Sequence, residues 1–312
     1  MLRLSFVVMS LLIFCWQSAF AGIIIQDLKW QNGQLIKVLL MNGSEEHHRL
    51  FKYAISIWKP YINLHFQFHV LDGKTKSLPA KFRKDTIRVQ FNEEERSSSR
   101  LGTSYNIGRF SEVTYLNIEH PINNKIKFMG TAVHEFGHAL GLLHEHQHPD
   151  AREEYAEDEL QGICSYMFFL DISKESELKK CRRNLMGLTR EEIEENNMDL
   201  SSFDLHSVML YDGILKESKG FFNVSLSLAD KKFIAKHYPF DRPLTDRQIE
   251  TMHQSDRQRE VEWLMAQYRT PKCQLVAKSD KFYLVQKRED REVSVLIKDQ
   301  RGIDNYFPTC SR

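Results

Sequence analysis

Little in this sequence would keep a chain unfolded or fibrous. Fourteen glycines and eight prolines among 312 residues are too few for a collagen-like or disordered polymer. Net charge is almost absent. The 43 basic and 42 acidic residues are interspersed and leave +1, so no nucleic-acid partner is expected. Long apolar runs are missing after residue 21, which excludes a membrane span in the remainder. Cysteine is sparse, five in all, and no internal repeat is present. What is there is 42% hydrophobic, enough to bury a core, and the length allows one large domain with a smaller extension.

Residues 1–21 stand apart. Arg3 precedes an apolar run over 4–16, and Ala19-Phe20-Ala21 places small residues at the positions a signal peptidase reads. The run is shorter than the roughly 20 residues of a spanning helix. A secretory signal peptide is therefore expected, with Gly22 as the mature start and an exported, extracellular product. Its removal also removes Cys15. The remaining Cys164, Cys181, Cys273 and Cys310 form an even set, read as two disulfides with three possible connectivities. Sequence proximity favours Cys164 with Cys181 and Cys273 with Cys310.

Periodicity gives the organisation. Residues 35–41, 63–71, 85–91 and 113–118 read as strands, and 48–59 as a helix. The charged, serine-rich stretch 93–100 reads as a loop, and Pro121-Ile122-Asn123-Asn124 as a turn. Residues 128–143 predict a helix whose stripe is Met129, Ala132, Val133, Phe136, Ala139 and Leu140. Residues 151–200 look helical and acidic. A last helix follows Leu226, capped by Ser227 and ended by Pro239. Beyond 240 come a charged helical segment and an alternating stretch over 273–310, so the expected organisation is 1–21 signal, 22–240 catalytic domain and 241–312 extension. Sequons stand at Asn42 and Asn223.

One constellation carries chemistry. His134-Glu135-Phe136-Gly137-His138 puts two imidazoles on neighbouring turns of one helical face, where both can reach one ion. Glu135 projects beside that ion, placed to take a proton from water. Gly141 falls where the chain must turn, and His144 follows three residues later as a third ligand. Ser207-Val208-Met209-Leu210-Tyr211 then supplies a methionine and a tyrosine in a tight segment. Together these form the His-Glu-x-x-His-x-x-Gly-x-x-His pattern with a methionine turn, the metzincin signature. Three histidine ligands leave a fourth zinc position open for water, so His146 and His148 are read as supporting or surface residues.

Within that clan the sequence resembles the astacins. His144-Glu145-His146 matches the close of their zinc motif, Ser207-x-Met209-x-Tyr211 their methionine turn, and the helix after Leu226 the last helix of microbial members. Trp30 resembles the start of the catalytic domain, and the likeness covers roughly 22–240. It implies an α+β fold, with a twisted mixed sheet and a zinc-bearing helix, plus a small C-terminal extension. It also implies one Zn2+ per chain on His134, His138 and His144. Glu135 would polarise the attacking water, and Tyr211 would stabilise the oxyanion. Glu145 would pair with the mature N-terminal ammonium. An extended protein or peptide substrate would add to Val113–Ile118 as an edge strand. Leu210 departs from the histidine usual at its place, and no mature cysteine precedes the zinc helix. Cleavage after Ala21 would leave only eight residues, 22–29, before Trp30, with no room for an inhibitory pro-segment. The expectation is a secreted, monomeric zinc endopeptidase. The rival from another class is a secreted binding module whose zinc is structural, closed by His146 or His148.

Overall fold

The computed structural model describes residues 22–71, 80–82, 84–104, 113–119, 125–151, 161–165, 173–210, 225–267, 273–278, 281–288 and 291–296. Residues 1–21, the turn at 121–124, Tyr211, Asn223 and Cys310 lie outside them. The chain begins with β1 (Ile23–Ile25) and β2 (Leu35–Leu40), followed by helix α1 (Glu45–Trp58). Helix α1 starts three residues earlier than its apolar period. Ser44 accepts from His47 N as its cap, and Glu45 and Glu46 occupy the positive end of the helix dipole. Its buried stripe is Leu50, Phe51, Ala54, Ile55 and Trp58.

Strands β3 (His65–Val70), β4 (Thr86–Phe91), β5 (Ser98–Ser99) and β6 (Val113–Ile118) complete one five-stranded sheet, ordered β3-β2-β4-β6-β5. The first three pairings are parallel; β5 alone runs antiparallel to β6. The expected edge strand is therefore corrected. Val113–Ile118 is flanked by β5, with Ser98 opposite Asn117 and Ser99 opposite Leu116, and the edge on that side is β5. A two-residue strand carries no period, which is why 93–100 reads as loop in the sequence.

Helix α2 (Lys125–Ala139) and α1 pack with Ile36, Val38 and Leu40 of β2, Ile87 and Val89 of β4, and Leu116 and Ile118 of β6 in one core. Each such side chain withdrawn from water contributes about 1.5–3 kcal/mol. Helices α3 (Glu175–Leu185) and α4 (Arg190–Glu195) follow. The helical reading of 151–200 fails at its end, where β7 (Met198–Leu200) pairs antiparallel with β1. Cys164 and Cys181 form a disulfide, both buried.

Helix α5 (Leu228–His237) is capped by Ser227, whose hydroxyl accepts from Asp230 N. Helix α6 (Asp246–Gln267) leads to an antiparallel sheet of β8 (Cys273–Lys278), β9 (Lys281–Arg288) and β10 (Arg291–Leu296). Ile249 of α6 is buried in the principal core, and Met252 and Trp263 pack against that core. No helix among the described residues is long and apolar enough to cross a membrane.

Candidate metal centre

Helix α2 is buried along its length from Phe128 onward, so its carbonyls must be satisfied inside the protein. Trp58 Nε1 donates to Val133 O at 3.1 Å, Trp30 Nε1 to Ala139 O at 2.7 Å and Tyr238 Oη to Leu140 O at 2.7 Å. The helix stops four residues short of the sequence expectation. Gly141 takes φ +101, its N–H donates to His138 O, and Leu142 N donates to Gly137 O. That pair of bonds is a Schellman stop, which needs a residue tolerant of positive φ. The reversed chain is then fastened to β1, with Leu143 N donating to Ile23 O at 2.9 Å.

This stop brings the third imidazole back over the helix. His134, His138 and His144 present ring nitrogens all within 4.8 Å of one another. Nδ1 of His134 donates to Val208 O, and Nδ1 of His138 donates to Leu142 O, both at 2.7 Å. A carbonyl only accepts, so each of these rings carries its proton on Nδ1 and turns the Nε2 lone pair inward. His138 Nε2 and His144 Nε2 lie 3.0 Å apart. Burial pushes His134 down to about 4 and His138 down to about 3, and holds His144 well below its ordinary value. All three are neutral imidazoles, the form that binds metal. A tetrahedral ion with bonds of 2.0–2.1 Å requires nitrogens roughly 3.4 Å apart, so the cluster fits zinc.

Glu135 is 3% exposed, and its Oε2 is buried with no hydrogen-bond partner among the described residues. Burial, with the charge of Glu119 adding, pushes it up to about 8. An acid poised near neutrality beside neutral imidazoles is what proton transfer at neutral pH requires.

Met209 is fully buried against the same helix. A Cβ built on Gly137 would meet Met209 Sδ at 2.4 Å and Trp58 at 3.1 Å, so glycine at that helical position is set by packing. The methionine turn is held by Asp230, a residue the sequence reading did not single out. Its carboxylate accepts from Ser207 Oγ at 2.7 Å, Val208 N at 2.9 Å and Ser227 N at 3.0 Å. Glu145 N donates to Met209 O, tying the turn to the segment after His144. Trp30 entered the sequence reading only as a landmark, and Asp230 and Tyr238 only as members of the closing-helix motif, with no role. Each acts on a backbone group more than 20 residues away, a relation no local pattern displays.

The other expected residues fall as follows. Glu145 is fully buried, and its Oε1 accepts from Asp204 N at 2.8 Å. His146 is buried with its ring stacked on His144, centroids 4.9 Å apart. His148 is buried too, so neither is a surface residue. Nε2 of His148 donates to Ser201 O, and Nδ1 accepts from Asp150 N. With both nitrogens engaged, His148 is not available as a fourth ligand. Tyr211 lies outside the described residues.

Comparison with known proteins gives the same assignment. The peptidase family described as Astacin matches residues 24–231. The solved structure of myroilysin is 28% identical, with a TM-score of 0.53 over 70% of this chain and 99% of its own. High choriolytic enzyme 1, a hatching enzyme zinc-protease from Oryzias latipes (medaka fish), is 14% identical over 68% of this chain and 95% of its own, with a TM-score of 0.43. A search of curated proteins found no match. With the family match running from β1 through the imidazole cluster into α5, the chain belongs to the astacin family of zinc metalloendopeptidases.

Proposed function

We propose that the chain is an exported, monomeric endopeptidase in which Glu135 is the general base and then the general acid of peptide-bond hydrolysis. The observation that carries the proposal is the buried Glu135 carboxyl, one oxygen unpartnered among the described residues and adjacent in sequence to His134. Bound by His134, His138 and His144, zinc supplies Lewis-acid polarisation of the scissile carbonyl and acidifies a water. Glu135 takes the proton from the attacking water on its free Oε2 and delivers it to the leaving amine. The substrate lies extended along β5, whose backbone is the sheet edge beside α2. Support for an oxyanion role of Tyr211 is its place two residues after Met209 in the family motif.

Export rests on the charged start, apolar run and small-residue site of residues 1–21. The catalytic unit is read as 22–240, with 241–312 as its extension. The test is cleavage of casein or gelatin by the purified enzyme. We expect a chelator to abolish it and added zinc to restore it. Cleavage indifferent to chelation would overturn the proposal.

A further inference from the structure

The C-terminal extension places one of its side chains against a buried charge of the catalytic body. Lys231 on α5 is 2% exposed. Its ammonium meets Asp256 Oδ2 of α6 at 2.8 Å and His253 Nδ1 at 3.1 Å, and sits 5.0 Å over the ring of Tyr61. Tyr61 Oη donates to the same Asp256 oxygen, and Arg259 pairs with the other. Asp256 is thus the carboxylate that balances a lysine the fold has taken out of water. Without it the buried ammonium would lose its ion-pair contact with α6.

Lys231 also stands next in sequence to Asp230, and the two project from α5 in different directions. Lys231 reaches α6. Asp230 reaches the methionine turn, accepting from Ser207 Oγ and Val208 N. Val208 in turn accepts the Nδ1 proton of His134 at 2.7 Å. One helix therefore joins the extension to a zinc ligand through consecutive side chains. The ends of α5 are otherwise fixed by Ser227 and by Lys236 and His237 against Asp199. Its middle is held to α6 by Lys231, and by Lys232 against Glu250 at 2.7 Å.

We propose that Asp256 is a positioning residue for the zinc site, holding α5 through Lys231 where Asp230 fixes the methionine turn and the ring of His134. The proposal gives the extension a role within the catalytic unit, and it rests on the zinc site described above. Outer partners of metal ligands govern metal affinity, and their loss raises the dissociation constant about 10–100-fold. Asp256 acts one step further out, so an effect at the low end is expected.

The experiment uses the full-length zinc enzyme and its Asp256→Asn and Asp256→Glu variants. Zinc Kd is measured by chelator competition, kcat and KM are determined separately, and the visible spectrum is recorded after cobalt substitution. For Asp256→Asn we expect the zinc Kd to rise about tenfold, the cobalt spectrum to change and kcat to fall more than KM rises. Asp256→Glu keeps the charge and should show a smaller shift in the same direction. It carries the test should the asparagine variant not fold. Zinc Kd and cobalt spectra equal to wild type, even with a lowered melting temperature, would reduce Asp256 to a purely structural ion pair and overturn the proposal. Wild-type enzyme that bound no stoichiometric zinc would refute the metal site itself, a distinguishable failure.

Discussion

Burial, with the charge of Glu119 adding, suits Glu135 to the proton transfer proposed for it. Withdrawn from water beside Phe136 and the imidazoles, its carboxyl is pushed up to about 8, where holding and releasing a proton cost little at neutral pH. Replacing it with glutamine keeps the shape and removes the base. Glu135→Gln should retain one zinc per chain, because the three ligands are untouched, while kcat falls about 10²–10⁴-fold. Zinc analysis alongside steady-state kinetics checks this, and turnover within a factor of a few of wild type would remove Glu135 from the mechanism. His134, Glu135 and His138 stood out in the sequence because helical spacing fixes which side chains share a face, and His144 because of its offset from Gly141 in the zinc motif. The ring tautomers were not legible. They depend on the carbonyls of Val208 and Leu142, and only the folded chain shows which carbonyl meets which nitrogen.

Among elements, the helices were legible and the shortest strands were not. Ser227 and Gly141 are local signals for where helices begin or stop, and each performs that function; the Ser44 cap of α1 went unread, so that helix was started three residues late. Strands β1, β5 and β7 are two or three residues long, too short to show a period, and two of them pair with each other across more than 170 residues. The methionine turn belongs to the same class. Its sequence is recognisable, but the Asp230 carboxylate that holds it comes from another helix. Asp230→Ala would remove the buried carboxylate that accepts from Ser207 Oγ, Val208 N and Ser227 N. Lost stability of about 3 kcal/mol is expected, with weaker zinc binding because Val208 orients His134. Denaturant unfolding and chelator competition measure the two effects. A variant unchanged in both would show that the turn holds itself.

On the scale of the whole molecule, buried histidines tie stability to pH. His237, packed on Phe233 and facing Asp199, is pushed down to about 4 by burial, with Lys29 adding to the effect. His148 is lowered as well, by burial first. Unfolded histidine takes up its proton near 6.5. Between that value and about 4 the unfolded His237 therefore binds more proton than the folded one, and the stability this residue contributes falls as the pH drops through the window. His237 alone accounts for at most about 3 kcal/mol. Across the window the unfolding midpoint of the wild type should fall relative to that of His237→Gln when both are measured at several pH values. Equal slopes for the two proteins would contradict the assignment. The α+β class came with the family resemblance, whereas the zinc helix and the helical segment beyond 240 were readable from spacing and period. That Ile249 joins the principal core was not, because packing between distant segments leaves no trace in local spacing.

The account stands on three imidazoles meeting at one ion beside a buried carboxyl with one oxygen unpartnered among the described residues. Diffraction from zinc-loaded crystals at the zinc absorption edge tests this most directly. It predicts a single anomalous peak, about 2.0–2.1 Å from Nε2 of His134, His138 and His144, with Glu135 near it and not bonded to it. A peak held by His146 or His148 in place of His144, or one in which the Glu135 carboxylate is itself a ligand, would contradict it.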